Sequence, residues 1–283
     1  MAAELVPLTP HVFSGKRWSP VVASADAAAS SASAPGAPAA LTLLTWNVWF
    51  GRHKFAARAA ALLDELTWRS PDIIALQEVT WDLLEVLLAS PFLRASYQVS
   101  DVDGSSFERY GVLLLSRLPL SRLAVLPLPS AMGRRLLLGT LGNGLTIGTI
   151  HLESTAACAE QRAQQLRLIQ PALHAASGDF VLMGDMNFSP DAALENGALA
   201  PTLDDVWARL HPELPGFTVD SQHNAMRRRF DDDPVGRRID RVFVHSQRWR
   251  AQAISLTGVS AIDSSGTFVS DHFGLETVIE PRS

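Results

Sequence analysis

Residues 41–47, LTLLTWN, form a short apolar run that ends in an amide. A buried strand that releases its polar tip at the rim of a sheet has this pattern. Downstream, Phe55 to Trp68 carries helical spacing, with Phe55, Ala59, Leu62, Leu63 and Leu66 on one side, and Pro71 ends it. Asp72 to Glu78 repeats the apolar-then-acidic pattern of a second strand, and Leu83 to Leu88 reads as a short helix. Further strands are predicted at Gly111–Ser116, Leu136–Thr140, Leu145–His151, Phe180–Gly184, Ile239–Val244, Thr267–Ser270 and Leu275–Ile279. Gly142-Asn143-Gly144 splits its apolar surroundings into a hairpin. A long helix is expected from Ser154 to Ala175, with Gln161, Gln164, Gln165 and Arg167 on its wet face. Ser189-Pro190-Asp191 has the chemistry of a helix start. Many short strands with few helices and no regular βαβ alternation predict two packed sheets flanked by helices in one domain.

Upstream of Leu41 the composition changes. Residues 21–40 are dominated by Ala, Ser, Pro and Gly with one acid, Asp26, so residues 1–40 are expected to form a flexible tail and 41–283 the domain. The tail is poor in acids, as transit peptides are, but also poor in arginine, which counts against that reading. The whole chain has 283 residues, 47% hydrophobic and 19% charged, an ordinary globular mixture. No run approaches the length of a membrane span. The one cysteine, Cys158, excludes an internal disulfide and a thiol-ligated metal site, and Met1 to Pro10 shows no secretory signal. An intracellular protein, cytoplasmic or nuclear and not secreted, is expected. The net charge of −5 excludes a bulk nucleic-acid coat protein, so a phosphate-bearing ligand must be gripped locally.

Polar residues repeatedly follow the apolar strands: Asn47, Glu78, His151, Asp185 with Asn187, and Asp271 with His272. Strands ending this way can converge on one rim of a sandwich. Carboxylates and amides are hard oxygen ligands suited to Mg²⁺, which takes one or two carboxylates and keeps other positions for water and phosphate. Glu78 is the leading metal ligand. No Cys/His zinc set, Gly-rich phosphate loop or serine-hydrolase elbow is present.

The ordered set T45-W46-N47, L76-Q77-E78, H151-L152-E153-S154-T155, G184-D185-M186-N187, I239-D240-R241 and S270-D271-H272 resembles the endonuclease/exonuclease/phosphatase superfamily. Within it the likeness is to the 5′-tyrosyl-DNA phosphodiesterases, and it covers about Leu41 to Ile279. The resemblance implies a DNase I-like, four-layer α-β-β-α sandwich. It also implies a metal-dependent phosphoric ester hydrolase acting in DNA repair, with Mg²⁺ (or Mn²⁺) as cofactor and a nucleic-acid end as substrate. By matching positions, Asp185 orients or deprotonates the attacking water and Asn187 holds phosphate or water beside it. Glu78 and Asp271 serve the metal, and Asn47 supports the metal or a phosphate oxygen. His272 stabilises charge on the phosphate, Asp240 orients His272, and His151 contacts the phosphate from the other side.

The family pattern is not complete. Where members commonly carry Asp two residues after the first-motif Asn, this chain has Trp49, so one Mg²⁺ is expected. The aromatics that wall the DNA end in the tyrosyl-DNA enzymes are Val219 and Ile239 here, and an arginine after the fourth motif is Ser189. Trp49 or Phe188 is the candidate replacement. Arg134, Arg135 and Arg238 are candidate substrate contacts, with Arg227 to Arg229 and Arg237 as further phosphate grips. His53, His174, His211, His223 and His245 read as surface or packing residues, Trp207 as core, and Asp231 to Asp233 as a solvated loop. A monomer without membrane insertion is expected. The rivals are the same site acting on a small or lipid phosphoester, and a non-catalytic binding module with the same fold.

Overall fold

A computed structural model describes residues 4–21, 40–231 and 233–282. In chain order it runs β1 (Val6–Pro7), β2 (His11–Ser14), β3 (Arg17–Pro20), β4 (Leu41–Asn47), α1 (Phe55–Arg69), β5 (Ile73–Val79), α2 (Trp81–Ala89), α3 (Pro91–Ser96), β6 (Gln98–Val99) and β7 (Gly111–Ser116). It continues through β8 (Leu120–Pro127), β9 (Arg135–Leu141), β10 (Thr146–His151), α4 (Ala159–Ala176), β11 (Phe180–Asp185), α5 (Ala193–Gly197), β12 (Asp204–Asp205) and α6 (Val206–Leu210). Last come α7 (Ala225–Phe230), β13 (Asp240–His245), β14 (Trp249–Thr257) and β15 (Gly274–Pro281). One sheet has the order β1-β8-β9-β10-β11-β13-β12, the other β14-β15-β4-β5-β7-β6-β2-β3.

Strand alternation explains the layers. In β4, Leu41 and Leu43 face the partner sheet, where they join Ile73, Ala75, Ile147, Val181 and Val242. Leu44 and Trp46 point the other way and pack under Leu62 and Leu66 of α1 and Leu83 and Leu87 of α2. On the second sheet, Leu136, Ile150 and Leu182 pack outward against Leu166, Ile169 and Leu173 of α4. Period-two side chains thus bury both faces of each sheet, giving helix, sheet, sheet, helix. Because these side chains are fully buried, truncating a central leucine such as Leu43 to alanine costs roughly 2–5 kcal/mol.

The two sheets share a pattern that positions the site. β4 and β5 are parallel, joined through α1, and pair Asn47 with Gln77. β10 and β11 are parallel, joined through α4, and pair His151 with Asp185. Both crossovers deliver the carboxyl ends of their strands to one rim, where ligands of α/β sheets bind. Just below, Gln77 donates to Thr45 Oγ1 at 3.0 Å and to Thr149 Oγ1 at 3.1 Å, tying the sheets together through buried hydroxyls.

Several expectations are corrected. Residues 4–21 are not a tail: β1 pairs with β8, and the β2–β3 hairpin extends the other sheet through β6. The hairpin is anchored by Trp18, whose indole donates to Leu88 O at 3.1 Å and meets Phe13 edge-on. The remaining expectation of a tail, over 22–39, falls outside the described residues. The helix expected from Ser154 starts later. Thr155 adopts φ 75°, a short 3₁₀ turn covers Ala156–Cys158, and α4 begins at Ala159. Gln165 is buried, not wet, and its amide oxygen accepts from Glu153 N at 3.0 Å. The Ser189-Pro190 start gives way to a turn, with α5 beginning at Ala193. Thr267–Ser270 is buried loop, and β8 and β14 are strands without a clear sequence pattern.

Candidate active site

At the shared rim the Asn47 amide nitrogen donates to Glu78 Oε1 at 3.0 Å and to Asp185 Oδ2 at 2.9 Å. One amide therefore links carboxylates from both sheets within two hydrogen-bond lengths of each other. Local backbone geometry aims these groups. Glu78 sits at φ 62° and Asn187 at φ 54°, left-handed conformations that cost a non-glycine residue roughly 1–3 kcal/mol and persist where surroundings impose them. Glu78 is held there by Phe50 N, which donates to Oε2 at 2.9 Å. Asn187 is held by its own N–H donating to Asp185 Oδ1 at 2.9 Å and by its amide nitrogen donating to Leu152 O at 3.0 Å. Gly184, before Asp185, allows the approach of β10: a Cβ there would meet Ile150 O at 2.0 Å.

The acids are charged against resistance. Burial, and then the charge of Asp271, push the Glu78 carboxyl up to about 7. Burial, and then Asp240, push Asp185 up to about 6. His272 behaves oppositely. Burial disfavours its charge, yet Asp240, with Nδ1 at 2.8 Å from Oδ2, together with Asp271 outweighs that and pushes it up to about 10. It is therefore an imidazolium at neutral pH. Its Nε2–H has no protein partner among the described residues.

His151 is the neutral counterpart. Its Nδ1 lies 3.0 Å from Arg134 Nη1. A guanidinium only donates, so Nδ1 accepts and the ring proton sits on Nε2. That Nε2 lies 3.3 Å from Asp185 Oδ2 and 3.9 Å from Glu78 Oε1. Burial, and then the Arg134 charge, hold His151 well below the usual imidazole range. Arg134 also donates to Ser154 Oγ at 2.8 Å and lies 5.5 Å over the Tyr110 ring.

The structure thus brings together Asn47, Glu78, His151, Asp185, Asn187, Asp240, Asp271 and His272, with Arg134 beside them. Arg135 lines the adjacent cleft with Tyr110 and His151. Arg238 is corrected: it is buried, and its Nη1 makes 2.8 and 2.9 Å bonds to both Asp205 oxygens, where Arg241 also binds. Phe188 is buried beneath Arg241 and offers no stacking face. Arg227 approaches the site instead and binds Asp271 Oδ2 at 2.9 Å. Sequence reasoning places Arg227 only in a generic cluster and gives no role to Phe50 or Tyr110, whose rings stack at 4.9 Å. No spacing pattern joins those two residues, because their contact crosses β5 and β7.

The donor set fits a metal. Glu78, Asp271 and Asp185 are oxygen donors, while Asn47 turns its amide nitrogen to the acids and its oxygen to Trp49 N, and the mutual repulsion of Glu78 and Asp271 is what a bound cation relieves. Asp185, Asp240 and His272 also present one ligand atom each within 4.8 Å of one another. In that trio Asp240 is already bonded to a protonated imidazole, and an imidazolium does not ligate a cation. The carboxylate side at Glu78 is therefore the better metal position.

The profile of the endonuclease/exonuclease/phosphatase family matches residues 44–272. Tyrosyl-DNA phosphodiesterase 2 of Xenopus laevis is 31% identical over 251 residues, covering 83% of this chain and 65% of that protein. The human protein of that name is 29% identical over 249 residues, covering 83% and 66%. The chain therefore spans about 65% of the length of these relatives. Among solved structures, D. rerio TDP2 complexed with single strand DNA product superposes with a TM-score of 0.75 at 24% identity, covering 85% of this chain and 99% of that one. The human Nocturnin catalytic domain with bound sulfate anion gives 0.63 at 16%, covering 86% and 94%. These two likenesses are of fold. With the family profile spanning every strand end that builds the site, the chain belongs to the endonuclease/exonuclease/phosphatase family.

Proposed function

We propose that the chain is a Mg²⁺-dependent phosphodiesterase that hydrolyses the phosphoester at a DNA end, with a 5′-phosphotyrosyl bond as the favoured substrate. The carrying observation is the Asn47 amide bridging Glu78 and Asp185 beside the Asp240–His272 pair. The choice of DNA end rests on the names of the relatives. Such a substrate implies an intracellular site of action, and nothing in the mechanism needs a second subunit. Among the described residues no helix is long and apolar enough to cross a membrane.

Glu78 would hold Mg²⁺, with Asp271 alongside and the Asn47 amide fixing the Glu78 carboxylate, and when bound the ion would supply positive charge to the phosphoryl oxygens. The protein's own residues do the rest. Asp185, titrating close to neutrality, takes a proton from the attacking water, and a base of that pKa is well matched to the task. The Asn187 carbonyl oxygen, the acceptor left after its amide nitrogen bonds Leu152, holds the same water. The free Nε2–H of His272 donates to a non-bridging phosphoryl oxygen as charge builds there. His151, neutral and locked by Arg134, donates from Nε2 and keeps Asp185 aligned. Water oxygen bonds to phosphorus, the P–O bond to tyrosine breaks, and the phenolate leaves without a strong acid because its pKa is only about 10.

Turnover of a 5′-phosphotyrosyl oligonucleotide, compared with p-nitrophenyl phosphodiesters, tests the assignment. Absence of product from any oligonucleotide, with the small esters cleaved, would move the substrate to a small or lipid phosphoester. Glu78→Gln keeps the size and one oxygen ligand but removes the charge. It is expected to raise the half-saturating Mg²⁺ concentration about ten-fold or more, in the range for a weakened metal site. An unchanged Mg²⁺ titration would sink the metal assignment.

A further inference from the structure

The loop after β4 sends successive aromatic side chains to different neighbours. Phe50 goes to Tyr110, on the His151 side. Trp49 turns instead to helix α7, where its ring lies 5.0 Å from Phe230. This second pair is built as a surface. Phe230 is 50% exposed at the end of its helix, so it contributes little to the core. Trp49 is fixed from three directions. Its N–H donates to Asn47 Oδ1 at 3.0 Å, its backbone is held at φ 55°, and the buried Arg58 guanidinium lies 4.6 Å from its ring. Arg58 is immobilised in turn by backbone carbonyls that include Val48 O at 2.7 Å and Trp49 O at 2.8 Å.

Arginines flank the pair, and the acids Asp231 and Asp233 that follow are bound to Arg227 and Arg237. Arg229 lies 5.7 Å over Phe230, and both Arg228 and Arg229 are exposed. His53 packs 5.1 Å from Phe230. Partial burial, and then Arg229, lower its pKa, so it presents a neutral ring. A fixed aromatic pair with Phe230 half exposed, beside the exposed side chains of Arg229 and of Arg228, which also donates to Ser221 O at 3.4 Å, combines base stacking with backbone attraction, the combination that single-stranded nucleic acid requires. The same helix also carries Arg227, bonded to Asp271, so the pair is continuous with the phosphate site.

We propose that Trp49 and Phe230 form the platform on which the first base of a single-stranded DNA end stacks, with Arg228 and Arg229 drawing in the following phosphates. The proposal rests on the phosphodiesterase reading for the position of the terminal phosphate at Asn47 and Glu78. It gives this chain a stacking surface in place of the aliphatic Val219, which is buried, and Ile239.

Binding of a labelled, 5′-phosphorylated oligonucleotide, followed by fluorescence anisotropy with Mg²⁺ present, tests it without turnover. Phe230→Ala is expected to weaken binding about ten-fold, the scale of one lost stacked base, and Phe230→Tyr to retain most of it. The gap between wild type and Phe230→Ala should close to within about two-fold when the first residue of the oligonucleotide is abasic. Equal binding by wild type and Phe230→Ala, or a gap that persists on the abasic strand, overturns the platform. A wild type that shows the full pattern but does not cleave the phosphotyrosyl bond keeps the platform and loses the hydrolase assignment. A wild type that binds no oligonucleotide loses both.

Discussion

Replacing Asp185 with asparagine is expected to lower kcat about 10³-fold, within the span that general-base groups contribute, while the protein stays folded. The substitution keeps the acceptor for Asn187 N–H and removes a carboxylate whose pKa, about 6, suits proton abstraction near neutrality. The same shift fixes the sign of the stability effect. Burial and Asp240 raise this carboxyl above its usual value of 3.8, so the folded state holds the proton more tightly than the unfolded chain. Stability from this group is complete below the unfolded pKa and is lost as pH rises through about 6. At pH 7.5 the wild type therefore carries an unfavourable buried charge that asparagine lacks. Against that, its amide nitrogen replaces the Oδ2 that accepts from the Asn47 amide at 2.9 Å, so the two effects oppose and the variant should melt within a few degrees of wild type when both are freed of metal with EDTA. A large fall in melting temperature would mean that Asp185 is a structural acid, and loss of activity would then say nothing of catalysis. Activity within about ten-fold of wild type would remove it as the base.

How far the sequence anticipates this site depends on which periodicity carries each residue. Asn47, Glu78, His151 and Asp185 are legible because each ends a run of buried apolar residues, and the parallel pairs put those ends together. Asp240 and His272 are different. Asp240 opens its strand instead of closing it, and the apolar run before Asp271 and His272 is buried loop, so only the family resemblance pairs Asp240 with His272. Arg238 is misleading because a buried guanidinium and a phosphate-binding one look alike in sequence. The two-residue strand that carries Asp205 decides between them, and two residues give no pattern. The Ala/Ser-rich composition of 21–40 says nothing of the residues upstream of it. Residues 11–20 have a weak alternation that becomes a hairpin only because Leu88 and the strand at Gln98–Val99 receive it. Gln165 fits the helix's wet stripe by spacing, but the Glu153 backbone supplies a partner that lets a polar amide be buried.

Asp240→Asn is expected to act through pH. In the wild type, Asp185 must lose its proton and His272 must keep one, so the rate should rise through a limb near 6 and fall through one near 10. Asparagine removes the principal charge that sustains the His272 imidazolium, while burial continues to oppose it. The alkaline limb should therefore move down by several pH units, and the acid limb should not move up, because Asp240 also helps to raise Asp185. The expected loss in kcat is about 10³-fold at pH 9 and much smaller at pH 6, approaching the effect of neutralising a carboxylate that orients a catalytic imidazole. A pH-rate profile from 5.5 to 10, taken at saturating Mg²⁺, reads this directly. The same variant separates the two assignments of the Asp185, Asp240 and His272 trio, whose ligand atoms lie within 4.8 Å of one another. If Asp240 is a metal ligand, the half-saturating Mg²⁺ concentration rises and the loss in rate is uniform across pH. If it supports an imidazolium, the Mg²⁺ titration stays where it was and only the alkaline limb shifts. Electrostatics favours the second result, since a positively charged ring 2.8 Å from Asp240 Oδ2 already supplies the charge that a cation would bring.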